Sequence, residues 1–208
     1  MIAVSEKIVI PIEIYKKKDP DELTKALADP KSRLEVGSIA AVTAAGAAAL
    51  LGRAAAIALE AQPENERVAY ILRNAEIIRS YMVHLIDEDV KCRGPLLKAF
   101  QEGGEREIEA SRQPAVSIAS EIINMMDHTL ELAKEICGLC PKDAMQYLGE
   151  CAELAMGVIR SARLYILDMS DRCSDDTYRY IVRRENEITL SQCEETASEI
   201  RKAVETSV

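Results

Sequence analysis

The sequence predicts an all-α fold: an antiparallel multi-helix bundle with an Ala-rich buried central helix and a short N-terminal extended arm. Three observations predict it. Residues 37–59 read GSIAAVTAAGAAALLGRAAAIAL, an apolar run dominated by alanine, the strongest helix former. The following stretch sets Val68, Ile71, Ala75, Ile78, Met82, Leu85, Asp89 and Cys92 at steps alternating between three and four, the spacing of one helix face. The composition is 48% hydrophobic with one Phe and no Trp, so the core is aliphatic, filled by Ala, Leu, Ile and Met. At 208 residues, one domain is the expectation.

Taken in order, residues 1–18 form a separate arm. Lys7 to Tyr15 is rich in β-formers, and Pro11 confines it to an edge or an extended segment. Lys16-Lys17-Lys18 and Asp19-Pro20 mark a break, and the helical domain occupies 19–208. A short helix covers Pro20 to Ala28, with proline in its first turn and acids after it. Gly37-Ser38 opens the Ala helix. Its alanines, with Gly46 and Gly52, let neighbouring backbones come close. Gln62-Pro63-Glu64 is a turn, and a long helix runs from about Asn65 to Cys92. Gly94-Pro95 breaks or kinks it, a turn or two continues to Phe100, and Gly103-Gly104 ends the piece. The next helix starts near Ser111 to Pro114, runs to about Cys137 and is closed by Gly138. Pro141 opens another, which ends between Asp168 and Asp171. Ser174-Asp175-Asp176 caps the last, from about Thr177 to Ala203.

Charge and patterning narrow the function classes. A net charge of −9 argues against a general nucleic-acid binder, which must neutralise phosphates. It leaves room for an anionic small molecule held in a local cationic pocket. The Ala helix has the length of a membrane span, but alanine is weakly hydrophobic and Arg53 is expensive in lipid. A buried helix of a soluble bundle is the better reading. Met1 to Ile10 has no continuous apolar run or cationic start, so no signal peptide is expected and the location is cytoplasmic. Cys92, Cys137, Cys140, Cys151, Cys173 and Cys193 are then read as free thiols. One copy is not expected to cover so apolar a helix on all sides, which predicts a homodimer or a larger assembly.

Asp89 is the residue marked for chemistry by position, because it occupies a seam place that calls for an apolar side chain. A carboxylate buried there has a perturbed pKa, the property of a general acid or base; the plain alternative is that the apolar stripe fades near the helix end and Asp89 reaches solvent. Asp87 points to nearly the opposite face. Ser38 sits at a helix N-terminus, where free amides and the dipole favour an anion or a carbonyl oxygen; the plain alternative is an ordinary cap. His84 and His128 lack the Glu-x-x-His spacing of a di-metal bundle, and Cys137-Gly-Leu-Cys140 has no second pair to complete a zinc site. No metal is expected. Arg179, Arg183 and Arg184 read as a solvated helix face.

The order of Leu23 to Ala28, then Gly37-Ser38-Ile39-Ala40-Ala41, then Leu85-Ile86-Asp87-Glu88-Asp89-Val90 resembles the cyclodeaminase/cyclohydrolase family of folate one-carbon enzymes over residues 21–205. That family usually opens its Ala helix with Pro-Gly-Gly-Gly-Ser, of which Gly37-Ser38 remains. Its acidic motif keeps both aspartates here, with Arg93 where an aromatic is usual. Its Asn-Ala-x-Ser-Asp appears as Asp143-Ala144-Met145-Gln146-Tyr147, and a later Asn as Tyr165. The resemblance implies an all-helical homodimer acting on a tetrahydrofolate derivative as substrate, with no further cofactor. It implies Asp89 and, second, Asp87 as catalytic residues, with Gly37 and Ser38 orienting substrate and Lys91 and Arg93 meeting its glutamate tail. The alternative is a non-catalytic helical dimer of the same fold, binding a ligand or serving assembly.

Overall fold

The computed structural model describes residues 14–34, 36–173 and 175–207. Helix α1 (Pro20–Ala28) is short, and five long helices follow: α2 (Val36–Ala61), α3 (Glu66–Glu102), α4 (Glu105–Ile136), α5 (Met145–Asp171) and α6 (Asp176–Ser207). Short connections reverse the chain between successive long helices, which makes them antiparallel neighbours. No strand occurs among the described residues.

Side chains set the helix starts. Asp19 accepts from Glu22 N at 2.8 Å ahead of Pro20. Asn65 Oδ1 accepts from Arg67 N and Val68 N at 3.1 and 3.2 Å. Asp175 Oδ1 accepts from Thr177 N and Tyr178 N at 2.9 and 3.0 Å. Each satisfies amides that have no partner inside the helix.

Helix α2 is the spine. It packs on α3, α4 and α5 of the same chain and buries Ala40, Ala41, Ala44, Ala47, Ala48, Leu51, Ala54, Ala55 and Ala58. A Cβ built on Gly52 would lie 3.5 Å from that of Ala75, so α2 and α3 approach as closely as small residues allow. Among the described residues α2 alone is long and apolar enough to cross a membrane. Its alanines are spent on the bundle interior. After Val36, only Ala49, Arg53, Glu60 and Ala61 are exposed on it, and Arg53 lies over the Tyr147 ring. Three neighbours from the same chain cover the other sides, and the exposed positions mark the side that one copy leaves open.

Other departures from expectation have local causes. Helix α3 continues through Gly94-Pro95 to Glu102. Leu96 and Ala99 are buried beyond the proline, Leu96 in a small cluster with Ala115 and Met169. Burying a leucine is worth about 1.5–3 kcal/mol, which offsets most of the ~3 kcal/mol that proline costs inside a helix. Helix α4 starts at Glu105, ahead of the expected Ser111, because Glu107 Oε2 accepts from Gly104 N at 3.1 Å and caps it there. Pro114 is consequently interior. Gly138 has no positive φ; the end of α4 is closed by Leu139 N and Cys140 N donating to Ile136 O.

The expected extended arm falls mostly on residues 1–13, outside the described residues. Its described end is a 3₁₀ turn at Tyr15–Lys17. Tyr15 N and Lys16 N both donate to Asp87 Oδ1, at 2.8 and 3.2 Å. Two consecutive amides converging on one oxygen require a turn, since in extended chain they point to opposite sides. Tyr15 is buried with Leu34, and its hydroxyl lies 3.4 Å from Ser32 Oγ.

Candidate functional site

The regular seam of α3 carries Asp89 into the bundle, where its side chain meets the start of α2. Asp89 is 2% exposed and Ser38 is fully enclosed. Ser38 Oγ lies 2.8 Å from Asp89 Oδ2 and 3.2 Å from Ile86 O, both acceptors for its one proton. The Ser38 backbone N–H also bonds the Asp89 carboxylate. A Cβ added to Gly37 would sit 2.2 Å from Asp89 Oδ1 and 2.6 Å from Cγ. Gly37 is thus the residue that lets the carboxylate reach the amides opening α2. Its φ is not positive, so the requirement is one of space and not of backbone conformation.

Two effects act on Asp89 in opposite directions. Burial disfavours its anion and raises its pKa above the usual carboxylate value; the Ser38 hydroxyl and amide favour the anion and pull it down. Burial wins. The result is a carboxyl group ready to hold a proton, aimed at a helix N-terminus that also accommodates its anion.

Asp87 is 4% exposed and serves the other face. Its carboxylate holds the Tyr15 and Lys16 amides, and Lys16 Nζ lies 3.5 Å away. The two aspartates therefore do not share a surface: Asp89 holds the start of α2, and Asp87 holds the N-terminal turn. Lys91 is on the outside, paired with Glu88 at 2.6 Å. Its ammonium does not join Asp89.

Arg93 does lie near, one helical turn beyond Asp89. It lines a groove of about 570 Å³ between the C-terminal halves of α3 and α5, together with Val36, Leu96, Leu97, Phe100, Leu164, Tyr165, Asp168, Met169 and Arg172. Val36 adjoins Gly37, so the groove begins where Asp89 is held. The Arg93 guanidinium sits 5.0 Å from the Tyr165 ring centroid. Burial raises the Tyr165 phenol pKa, Arg93 opposes that rise, and the Asp89 charge adds to it. Tyr165 and Asp89 are thus close enough to feel one another.

Of the expected site residues, Gly37, Ser38 and Asp89 come into contact, Arg93 borders the adjacent groove, and Asp87 and Lys91 face elsewhere. Sequence reasoning did not assign Phe100, Asp168 and Arg172 to the site. Their signal becomes visible only when α3 and α5 are set side by side.

Of the cysteines, Cys92 lies near enough to Asp89 for that charge to add to the rise that burial gives its thiol pKa. All six are free. Burial pushes the thiols of Cys137 and Cys140 up to about 11 and those of Cys151 and Cys193 to about 12. Among the described residues no group of three His, Cys, Asp or Glu is placed to hold a metal.

Residues 20–187 match the family model described as formiminotransferase-cyclodeaminase. Among solved structures, formiminotetrahydrofolate cyclodeaminase from Thermotoga maritima is similar, with a TM-score of 0.83 at 20% sequence identity, covering 92% of this chain and 98% of that one. At that identity the likeness carries the fold. Sequence comparison with curated proteins yields no match.

Proposed function

The chain belongs to the formiminotransferase-cyclodeaminase family, and from that premise we propose that it acts on a tetrahydrofolate derivative. The reaction is cyclodeamination of a formimino group or hydrolysis of a methenyl bridge, with Asp89 as the acid/base. The observation that carries this reading is the enclosed carboxyl of Asp89, held by Gly37 and Ser38 against the opening of α2.

In cyclodeamination, N10 of the folate uses its lone pair to form a bond to the carbon of the protonated formimino group, N5–CH=NH2+, whose C=N pair moves onto nitrogen to leave an amine. The C–N bond to the departing nitrogen breaks, and that nitrogen leaves as ammonia after taking up a proton. A carboxyl group with a raised pKa supplies that proton, and its anion then accepts the one released from N10. The same anion stabilises the cationic methenyl carbon of the product by charge. In cyclohydrolysis the direction of proton traffic reverses: the carboxylate accepts a proton from the water that adds to the methenyl carbon. The Ser38 hydroxyl holds the carboxyl in one orientation in both cases. Arg93 borders the groove beside it, next to the reacting end of the substrate. A homodimer in the cytoplasm belongs to the same proposal, supported by exposed apolar side chains such as Ile77, Leu164 and Tyr180.

A second reading has its own observation. Asp89 is almost fully enclosed and already hydrogen-bonded, as a purely structural helix cap would be. In that reading the chain is a non-catalytic bundle. Incubation with 5-formiminotetrahydrofolate, with ammonia release measured, separates the two. Release by the wild type that falls by about 10²-fold or more in Asp89→Asn supports catalysis. No ammonia release from 5-formiminotetrahydrofolate and no hydrolysis of 5,10-methenyltetrahydrofolate by the folded wild type supports the structural cap.

A further inference from the structure

The groove between α3 and α5 has a repeated construction that the reaction chemistry at Asp89 does not use. Arg93 of α3 lies over Tyr165 of α5 at 5.0 Å, and Arg172 at the end of α5 lies over Phe100 of α3 at 5.4 Å. Both partners advance by seven residues, so the two helices run in the same direction here. The two rungs stand about 10 Å apart along the groove, two helical turns at 1.5 Å per residue. The arginine changes sides between rungs, which sets the two guanidinium groups on a diagonal. Between them the surface is apolar, with Leu96 and Met169 buried beneath. One acid, Asp168, enters the groove and pairs with Arg172 at 3.1 Å. That pair is half exposed on both sides, so its carboxylate can be exchanged for another.

We infer that this two-rung groove is a binding site for an elongated, flat, carboxylate-bearing molecule. Its ring system lies on the apolar floor between the rungs, and its carboxylate takes the place of Asp168 on the Arg172 guanidinium. Guanidinium groups stacked on aromatic rings keep their outer N–H edges directed outward, the geometry that carboxylates bind in bidentate fashion. Where the ligand is a folate this inference rests on the function proposed above, and it places the reacting end toward Arg93 and Asp89 and the acidic end toward Arg172. The site itself requires only the flat anion.

The two charged residues of the outer rung make opposite predictions. Calorimetric titration with p-aminobenzoylglutamate and, separately, with 2-naphthoate reads them. Arg172→Gln is expected to weaken both by about tenfold or more, the loss of a charge-assisted pair. Asp168→Asn is expected to tighten both severalfold, because the competing carboxylate is gone. A merely structural role for the Asp168–Arg172 pair would make the two variants change in the same direction. Equal affinity in wild type and both variants, or no binding of either probe to the wild type, overturns the inference. Charge-dependent binding of 2-naphthoate in a protein that turns over no folate leaves the groove standing and removes the folate reading. Folate turnover that is indifferent to both substitutions does the reverse.

Discussion

Replacing Gly37 by alanine sets two physical rules against each other. Helix propensity alone favours alanine over glycine by about 0.8–1 kcal/mol. The structure opposes it: the new Cβ would meet Asp89 Oδ1 at 2.2 Å, Cγ at 2.6 Å and Oδ2 at 2.9 Å. Real Cβ atoms do not come that close, so the carboxyl must leave or the start of α2 must shift. Overpacking of this kind costs about 1–3 kcal/mol. Displacing Asp89 also removes its bonds to Ser38, where a hydrogen bond to a charged group is worth about 1.5–3 kcal/mol. After subtracting the propensity gain, Gly37→Ala is expected to destabilise by about 1.5–5 kcal/mol, lowering Tm by about 3–20 °C for a chain of this size. Thermal melts followed by circular dichroism measure it. In an Asp89→Ala background the clash has no target, so the same substitution is expected to be neutral or stabilising by up to about 1 kcal/mol. A Tm for the single variant at or above wild type, or equal effects in the two backgrounds, would refute the claim that Gly37 exists to admit the carboxyl.

Further expectations follow from the same geometry. Burial raises the Asp89 pKa above 3.8, so the native state binds the proton more tightly than the unfolded chain does. Asp89 therefore stabilises the fold fully below the unfolded value, and that contribution is lost as pH rises through the raised folded value. The Tm of Asp89→Asn minus that of wild type is then expected to grow as pH rises above the usual carboxylate range, and a difference constant with pH would contradict it. Asp87→Ala removes the acceptor of the Tyr15 and Lys16 amides, and hydrogen exchange should speed at those two positions while the amides of α2 keep their protection. Cys137, Cys140, Cys151 and Cys193 should react slowly with a disulfide reagent at about pH 8 and fast after denaturation, because their raised pKa values leave little thiolate.

The parts of the fold legible in the sequence are those governed by local rules. The seam from Val68 to Cys92 and the alanines of α2 each report a helix and its buried face, and Asp89 stood out because it broke the apolar pattern at a seam position. Pro95 and Pro114 misled because their cost is local while the compensation, packing around Leu96 and Ala115, comes from other helices. The family resemblance pairs Asp87 with Asp89, while helix spacing alone sets Asp87 on nearly the opposite face, and the two do hold different segments. Lys91 and Arg93 were grouped in the same way. A two-residue step turns the side chain by roughly 200° around a helix, so one of each such pair must face away. Phe100 and Arg172 could not be paired from the sequence, since they are neighbours only across the groove.

The central claim is that Asp89, seated on Gly37 and Ser38, moves the proton in a folate one-carbon reaction. Absorbance of the methenyltetrahydrofolate chromophore tests it most directly, because cyclodeamination creates that chromophore and cyclohydrolysis consumes it. The account predicts a catalysed absorbance change with the wild type, a rise from 5-formiminotetrahydrofolate or a fall from 5,10-methenyltetrahydrofolate. It also predicts that the change slows by about 10²-fold or more in an Asp89→Asn variant with an unaltered helical spectrum. An equal rate in the folded variant, or no change above background with either substrate, would contradict it.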